Sequence, residues 1–209
     1  APSFTSSATF SAAENQTTIG TVVASDAGGQ SISYSISGSD ALSMSINSSS
    51  GALTFNSAPD HETKNSYSVT ATASDGTNST NQAITVNVTD VNDNAPVFTS
   101  SATFSAAENQ TSIDTVTATD ADGDSVTFTV SGTELEITSA GVLTFASAPD
   151  YETKSSYTAT VSASDGTNTT TQAITVNVTD VNDNAPVFTS STTFSAAENQ
   201  TSIDTVTAT

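Results

Sequence analysis

Two short segments rich in oxygen-bearing side chains carry the chemistry that this sequence most clearly indicates. Residues 88–98 and 178–188 are identical and read Val-Thr-Asp-Val-Asn-Asp-Asn-Ala-Pro-Val-Phe. Hard divalent cations such as Ca²⁺ bind about six to eight oxygens from carboxylates, amides and backbone carbonyls. Each copy places two carboxylates and an amide within four residues: Asp90, Asn92 and Asp93, then Asp180, Asn182 and Asp183. Both segments are therefore predicted to bind divalent cations.

A recurring motif divides the chain into repeats and places these segments at the joints. Ala-Pro-x-Phe-Thr-Ser begins at Ala1, Ala95 and Ala185, with spacings of 94 and 90 residues. Such self-similarity is typical of repeat architectures. We predict a first repeat at 1–94, a second at 95–184, and the first strands of a third, truncated repeat at 185–209. We call the 1–94/95–184 joint the first junction and the joint at residue 185 the second junction.

The apolar residues indicate which elements position the acids. Leu, Ile, Val and Phe make up less than one fifth of the chain, and the formal charge is −20, a composition often found in disordered proteins. Their placement argues otherwise, because apolar and polar residues alternate along 67–73, 126–130, 157–163 and 174–178. A period of two over such stretches predicts strands with one buried face.

The turn signals favour a particular all-β architecture. Clusters of Gly, Asn, Asp and Ser, such as 165–168, separate roughly seven short strands in each repeat. This pattern predicts tandem Greek-key β-sandwiches of the immunoglobulin-like type. The chain has no cysteine, so no disulfide reinforces these modest cores. Bound cations would supply stability and reduce the repulsion among the acids.

At this point the sequence resembles cadherin repeats, over essentially its whole length. The resemblance rests on five motifs that occur in the family's order. They are Pro-x-Phe, Glu-Asn (Glu14-Asn15, Glu108-Asn109, Glu198-Asn199), Asp-x-Asp (Asp120 to Asp122), Asp-x-Glu (Asp60 to Glu62, Asp150 to Glu152) with a late Asp75 or Asp165, and the Asp-x-Asn-Asp-Asn linker. Any one of them alone would be a weak signal, because such runs are often ordinary turns.

The resemblance implies three Ca²⁺ ions at each complete junction. Carried over to the first junction, the outermost ion would be held by Glu14, Asp60, Glu62 and Asp93. The middle ion would be held by Glu14, Glu62, Asp90, Asp93, Asp122 and the Val91 carbonyl. The third would be held by Asn92, Asp120, Asp122, Asp165 and the Asn94 carbonyl. Two carboxylates 4 Å apart repel by about 4 kcal/mol at an effective dielectric near 20, so cations should rigidify this joint.

The second junction and the first repeat each carry an incomplete set of candidate calcium ligands. For the second junction the resemblance implies ligands from Glu108, Asp150, Glu152, Asp180, Val181, Asn182, Asp183 and Asn184. Their downstream partners would follow Thr209, so we expect fewer ions there from this chain alone. The first repeat reads Asp26-Ala27-Gly28 where the second reads Asp120-Ala121-Asp122, and it lacks the second acid of that motif. We expect Asp40, Asp114, Asp124, Glu134, Glu136 and Asp204 to be solvated surface acids.

Other functional classes find little support in the residues. The one histidine, His61, is replaced by Tyr151 in the second repeat, so the shared function needs no imidazole, and no enzymatic activity is expected. An EF-hand loop starting at Asp120 would need Gly and Glu where Ser125 and Ser131 stand. At −20 the chain is a poor partner for nucleic acid or anionic membranes, and no apolar run is long enough to span a membrane.

Two functional hypotheses remain. The first is a calcium-stiffened structural or adhesive segment of a large secreted or cell-surface protein or fibre, in which other copies of the repeat are the partners, head to tail. The near-identical copies and the Ser/Thr bias resemble bacterial-type adhesins more than animal receptors. The alternative is a calcium-dependent module that binds surface polysaccharide, for which Tyr34 and Tyr151 are the available aromatic platforms. Both hypotheses place the protein outside the cell.

Overall fold

The computed structural model describes all 209 residues, and it is built almost entirely of β-strands. The one helical element is a 3-10 turn at Ala41–Ser43. The first sandwich contains β1 (Ser3–Phe4), β2 (Thr9–Ala13), β3 (Thr18–Thr21), β4 (Ala24–Ser25), β5 (Ser33–Ser37), β6 (Met44–Ile46), β7 (Ala52–Phe55), β8 (Ser66–Ser74) and β9 (Ser79–Thr89). The second contains β10 (Val97–Phe98), β11 (Thr103–Ala107), β12 (Ser112–Thr115), β13 (Ala118–Thr119), β14 (Thr127–Val130), β15 (Leu135–Ile137), β16 (Val142–Phe145), β17 (Ser156–Ser164) and β18 (Thr169–Thr179).

Both sandwiches have the same topology. In the first, a four-stranded sheet has the order β2-β9-β8-β5, a three-stranded sheet has the order β3-β7-β6, and β1 pairs with β4. The second sandwich repeats this arrangement strand for strand. The pairs are antiparallel except β2 with β9 and β11 with β18, which run parallel. The predicted all-β sandwich fold is confirmed, and seven strands of each unit form its two larger sheets.

Each sandwich encloses its own core, as the alternating pattern predicts. Along β8 the buried residues are Val69, Ala71 and Ala73, and the threonines between them face outwards. The neighbouring strand β9 buries Ile84, Val86 and Val88 in the same way. These side chains belong to a cluster of 13 buried residues, and the equivalent strands of the second sandwich contribute to a cluster of 12. Because the long strands are held on one face by these cores, their ends are fixed in space.

Residues 185–209 form no extended strand, although they nearly repeat residues 95–119. Their pairing is limited to a bridge between Phe188 and Ala208 with flanking backbone hydrogen bonds. Residues 193–197 have the sequence of β11, which pairs with β18, and no equivalent of β18 is available to them within the chain. The division of the chain at residues 94 and 184 stays a prediction.

Each of the two lysines joins an acid to an aromatic ring of the core. The Lys64 ammonium lies 2.5 Å from the Asp40 carboxylate and 4.5 Å from the centroid of the Tyr67 ring. In the second sandwich Lys154 lies 2.5 Å from Glu134 and 4.3 Å from the Tyr157 centroid. Asp40 and Glu134 are therefore partners of the lysines, which corrects the expectation that they are merely solvated.

The Asp40 pair should make stability depend on pH. The hydrogen bond from Lys64, followed by one from the Ser68 backbone, lowers the pKa of Asp40 from its ordinary 3.8. A lowered folded pKa stabilises the fold above the unfolded value, and this contribution is lost as pH falls through the folded value. We expect Asp40→Asn to lower the free energy of unfolding at neutral pH by about 1 kcal/mol or less and to weaken its decline in acid. Urea unfolding at a series of pH values measures both effects.

Glu134→Gln is the matched control, because its carboxylate pairs with Lys154 while 55% exposed, against 16% for Asp40. Solvent screens the more exposed pair, so this variant should change stability less. A pH profile for Asp40→Asn that runs parallel to that of the unsubstituted protein would contradict the assignment.

Candidate metal centre at the repeat junctions

A buried glutamate at the end of β2 connects the two segments that carry the candidate ligands. Glu14 is 3% exposed, and its Oε2 accepts a hydrogen bond from the His61 backbone N–H at 2.8 Å. Its Oε1 accepts one from the Val91 backbone N–H at 2.8 Å. Glu108 does the same in the second sandwich with Tyr151 and Val181, at 2.8 and 2.7 Å. The glutamate therefore holds the Asp-x-Glu loop against the linker by hydrogen bonds of its own.

The asparagine of the Glu-Asn motif has a conformational role. Asn15 has φ of 60° and Asn109 has φ of 62°, in the left-handed region that asparagine tolerates better than most residues. This turn directs the chain away from β2 immediately after the glutamate has entered the site. The Asn15 amide also donates a hydrogen bond to Asp93, and the Asn109 amide donates to Asp183 at 2.6 Å.

The Asp-x-Glu loop brings three carboxylates together. Glu14, Asp60 and Glu62 each offer an oxygen within 4.8 Å of the others. The backbone N–H and hydroxyl of Thr63 donate to Asp60, both at 3.0 Å, and they lower the pKa of Asp60 from 3.8. The same loop in the second sandwich groups Glu108, Asp150 and Glu152.

Crowding of like charges is visible at Glu152. Its own backbone N–H lowers the pKa of the Glu152 carboxyl, but burial and the charges of Glu108 and Asp180 outweigh this and raise it from 4.5. A net rise means that the ionised state lacks sufficient compensating positive charge or hydrogen bonds. The arrangement thus favours a bound cation.

The first junction is closed by contacts between its linker and the second sandwich. Asp122 accepts hydrogen bonds from the backbone N–H of Asp93 at 3.0 Å, the backbone N–H of Asn94 at 2.9 Å, and the Asn94 side chain at 2.7 Å. The hydrogen bond from the Asn94 side chain lowers the pKa of Asp122 from 3.8. Partial burial opposes this shift, and the two backbone N–H groups add to it. Asn94 also donates to Glu62 at 3.3 Å. One amide therefore contacts both sandwiches.

Three carboxylates from three parts of the chain meet at this junction. Glu62 of the first sandwich, Asp93 of the linker and Asp122 of the second sandwich each offer an oxygen within 4.8 Å of the others. Like charges placed this close repel one another, and a bound cation would offset that repulsion.

The downstream acids contain oxygens that have no partner. Asp120 Oδ2 and Asp165 Oδ2 are buried and accept no hydrogen bond. Burial raises the pKa of Asp165, but hydrogen bonds from the Asn168 and Thr167 backbones outweigh it, and the net shift is downward from 3.8. Asp165 is thus held as an anion with an oxygen unsatisfied. Buried ionised oxygens of this kind normally have a hydrogen bond, an ion or a water as partner.

The first sandwich contains an equivalent pair of buried acids, Asp26 and Asp75. These aspartates correspond to Asp120 and Asp165, and their side chains are 4% and 5% exposed. The residues at the first junction therefore fit a divalent cation, because their donors are hard oxygens, several are anionic and two are unsatisfied.

Two contributors to the first junction were missed from the sequence. The Asn168 side chain donates to Asn92 Oδ1 at 3.0 Å and to the Asn94 carbonyl at 3.2 Å, two oxygens that the resemblance assigns to the third ion. The segment 165–168 was interpreted only as a turn, and nothing local indicates that its last residue reaches the linker. Asp124 was expected to be a solvated acid, yet it offers an oxygen within 4.8 Å of oxygens of Asp120 and Asp122.

The second junction is less closed. Residues 180–184 are all exposed, and Asp183 is contacted by the side chains of Asn109 and Asn184. The structure groups Glu108, Asp150 and Glu152, but it brings no group of three carboxylates together around Asp180 or Asp183. At the first junction, the Asp90 side chain is 40% exposed, and its Oδ1 lies 4.0 Å from His61 Nδ1.

Comparisons with known proteins agree with this geometry. Residues 8–89 match the Cadherin domain family, and residues 92–179 match a Bacterial Ig domain family. Human Protocadherin Fat 1 is 40% identical over 185 residues, which cover 75% of this chain and 4% of that protein. The chain is built of tandem cadherin-like repeats. Human Protocadherin-15 is 35% identical over 184 residues, covering 81% of this chain and 9% of that protein.

A solved structure extends the likeness to the whole chain. The crystal structure of mouse Cadherin-23 EC22-24 superimposes with a TM-score of 0.75 at 27% identity, covering 100% of this chain and 77% of that one. Cadherin repeats are non-enzymatic adhesive and structural modules of extracellular or cell-surface proteins, and cadherin domains bind Ca²⁺ at junctions between repeats. The predictions of tandem cadherin-like repeats and of a non-enzymatic role are confirmed, whereas a bacterial-type origin stays a prediction.

The chain spans between 3% and 10% of the length of the curated relatives it matches. The structure contains no helix with the length and apolar character needed to cross a lipid bilayer. The homology supports an adhesive or structural extracellular repeat segment.

Proposed function

We propose that this chain is a calcium-stiffened segment of an extracellular adhesive or structural array. The observation that carries the proposal is the carboxylate group at the first junction, formed by Glu62, Asp93 and Asp122. Because its members come from both sandwiches and from the linker, a cation bound to all three would tie the two repeats together. The two lysines of the chain do not tie the repeats together in this way, because Lys64 pairs with Asp40 and Lys154 pairs with Glu134.

Three Ca²⁺ ions are proposed for the first junction. Glu14, Asp60, Glu62 and Asp93 would hold the outermost. Glu14, Glu62, Asp90, Asp93, Asp122 and the Val91 carbonyl would hold the middle one, and Asn92, Asp120, Asp122, Asp165 and the Asn94 carbonyl the third. The orphaned oxygens of Asp120 and Asp165 support the third site. When bound, the ions would supply six positive charges against eight carboxylates.

The second junction is proposed to receive its remaining ligands from a following repeat. Glu108, Asp150, Glu152 and Asp180 to Asn184 would form the upstream half of its site. Additional copies of the repeat, in line with this chain, are therefore the proposed partners.

A polysaccharide-binding role gains no support from the aromatic residues. Tyr34, one of the two candidate platforms, is 9% exposed and packs within the core, where its hydroxyl accepts the Ala24 backbone N–H at 3.0 Å. It lies inside because it occupies a buried position of the alternating strand β5. Tyr151 alone is exposed, at 38%.

Small-angle scattering with and without a calcium chelator tests the proposed function. In calcium the maximum dimension should be that of two repeats held rigidly in line, and after chelation the profile should show a flexible pair. Extracellular calcium modules bind at about 10⁻⁴ to 10⁻³ M. Calcium at a hundredfold over Kd adds about 2.7 kcal/mol per site, so the melting temperature should also fall on chelation.

Sodium chloride at matched ionic strength is the control, because it screens charge without occupying a multidentate site. Recovery of rigidity in sodium alone would mean that the acids act through bulk repulsion. If neither the scattering profile nor the melting temperature changes when the chelator is added, the proposal is contradicted.

A further inference from the structure

The single histidine of the chain lies against two carboxylates at the first junction. His61 Nδ1 is 3.1 Å from Glu62 Oε1 and 4.0 Å from Asp90 Oδ1. The three ligand atoms all lie within 4.8 Å of one another. The His61 side chain is 28% exposed, so the ring is half-buried in the joint.

The backbone around these side chains is fixed by the buried Glu14. One oxygen of Glu14 accepts the His61 backbone N–H, and the other accepts the N–H of Val91, which follows Asp90. The turn that follows His61 is closed by Asp60, which accepts the Thr63 N–H at 3.0 Å. Both chain segments that carry the ligands are therefore held in place before any ion binds, which reduces the ordering cost of binding.

The donor set differs in kind from the oxygen sites nearby. Ca²⁺ takes oxygen ligands, whereas an imidazole nitrogen suits Zn²⁺ and other first-row transition ions. One imidazole and two carboxylates, with water in a remaining position, satisfy the ligand preferences of Zn²⁺. We propose that His61, Glu62 and Asp90 form a Zn²⁺ site at the first junction. Its formation does not require the proposed calcium binding, although it shares Glu62 and Asp90 with those ligands.

The site is specific to one junction. The second sandwich places Tyr151 where the first has His61, and its backbone N–H makes the same hydrogen bond to a buried glutamate, here Glu108. A phenol has no basic nitrogen at this position, so Zn²⁺ recognition is confined to the first junction. Since Glu62 and Asp90 cannot fully serve two ions at once, zinc would compete with calcium at that joint alone.

Zinc titration of the calcium-free chain tests the proposal, with ZnCl₂ as the probe. Because the chain has one histidine, the nitrogen resonances of its imidazole report on the site without ambiguity. We expect the Nδ1 resonance to move on zinc addition and calorimetry to show one site. His61→Tyr, which installs the residue of the second repeat, should weaken zinc binding by about tenfold or more. Loss of an outer-shell partner alone costs about tenfold to a hundredfold in metal affinity, and His61 is a proposed direct ligand. Tyr151→His should add a site at the second junction.

The outcomes separate this proposal from the calcium function. If the Nδ1 resonance of His61 does not move on zinc addition, or if His61→Tyr binds zinc with unchanged affinity, the zinc site is overturned. Calcium titration of His61→Tyr should match that of the unsubstituted chain. A failure of calcium binding in both proteins, with zinc binding intact in the unsubstituted one, would reject the calcium proposal and leave the zinc site standing.

Discussion

Replacing Asp93 with alanine should weaken calcium binding at the first junction and loosen the joint. Asp93 is proposed to contact two ions, and its carboxylate lies with those of Glu62 and Asp122. It also accepts hydrogen bonds from the side chains of Asn15 and Asn94. Loss of an outer-shell partner alone costs about tenfold to a hundredfold in metal affinity, and a shared direct ligand should cost at least as much. Calorimetric titration with calcium and small-angle scattering measure the two effects.

Asp114→Ala removes the same charge from a different place. Asp114 lies on β12, is exposed, and belongs to none of the carboxylate groups. It should leave calcium affinity and junction stiffness unchanged. Equal effects from the two substitutions would mean that the acids act only through bulk charge.

Glu14→Ala should destabilise the first sandwich even in the absence of calcium. The substitution removes the acceptor of two backbone N–H groups, from His61 and Val91, at a position that is 3% exposed. Hydrogen bonds to charged groups contribute about 1.5–3 kcal/mol each, so a loss of about 3 kcal/mol or more in unfolding free energy is expected. Glu14→Gln should cost less, because its amide oxygen can still accept one of the two. Urea unfolding in the presence of a chelator measures the change.

Glu198→Ala serves as the matched control, since Glu198 occupies the same position in the third copy of the motif. There the glutamate is exposed and makes no hydrogen bond. Its removal should leave the unfolding free energy unchanged. A Glu14→Ala variant as stable as Glu198→Ala would show that Glu14 contributes to the junction only as a metal ligand.

The sequence predicted those features that depend on local periodicity. Alternation along 67–73 and 157–163 identifies β8 and β17, because a buried core on one side of a sheet requires apolar residues at every second position. The Greek-key sandwich follows from the number of strands and their turns. The repeated acids predict calcium sites at the joints, because Ca²⁺ takes oxygen ligands, and those sites stay a prediction.

Features that depend on contacts between distant segments were not predictable in this way. Glu14 accepts hydrogen bonds from residues 47 and 77 positions away, so no local pattern reveals that it acts as a clamp. Asn168 reaches the linker only because the second sandwich is oriented against it. Asp40 and Glu134 look alike as surface acids until folding brings each beside a lysine.

The parallel pairing of the first long strand with the last has a mechanical consequence. Because β2 and β9 run in the same direction, the chain enters and leaves the first sandwich at opposite ends. The same holds for β11 and β18 in the second sandwich. A pull along the array therefore slides these strands past each other, and the hydrogen bonds of five residue pairs in each ladder bear the load together. An antiparallel terminal pair would instead be unzipped one bond at a time, so this topology suits a protein that works under tension.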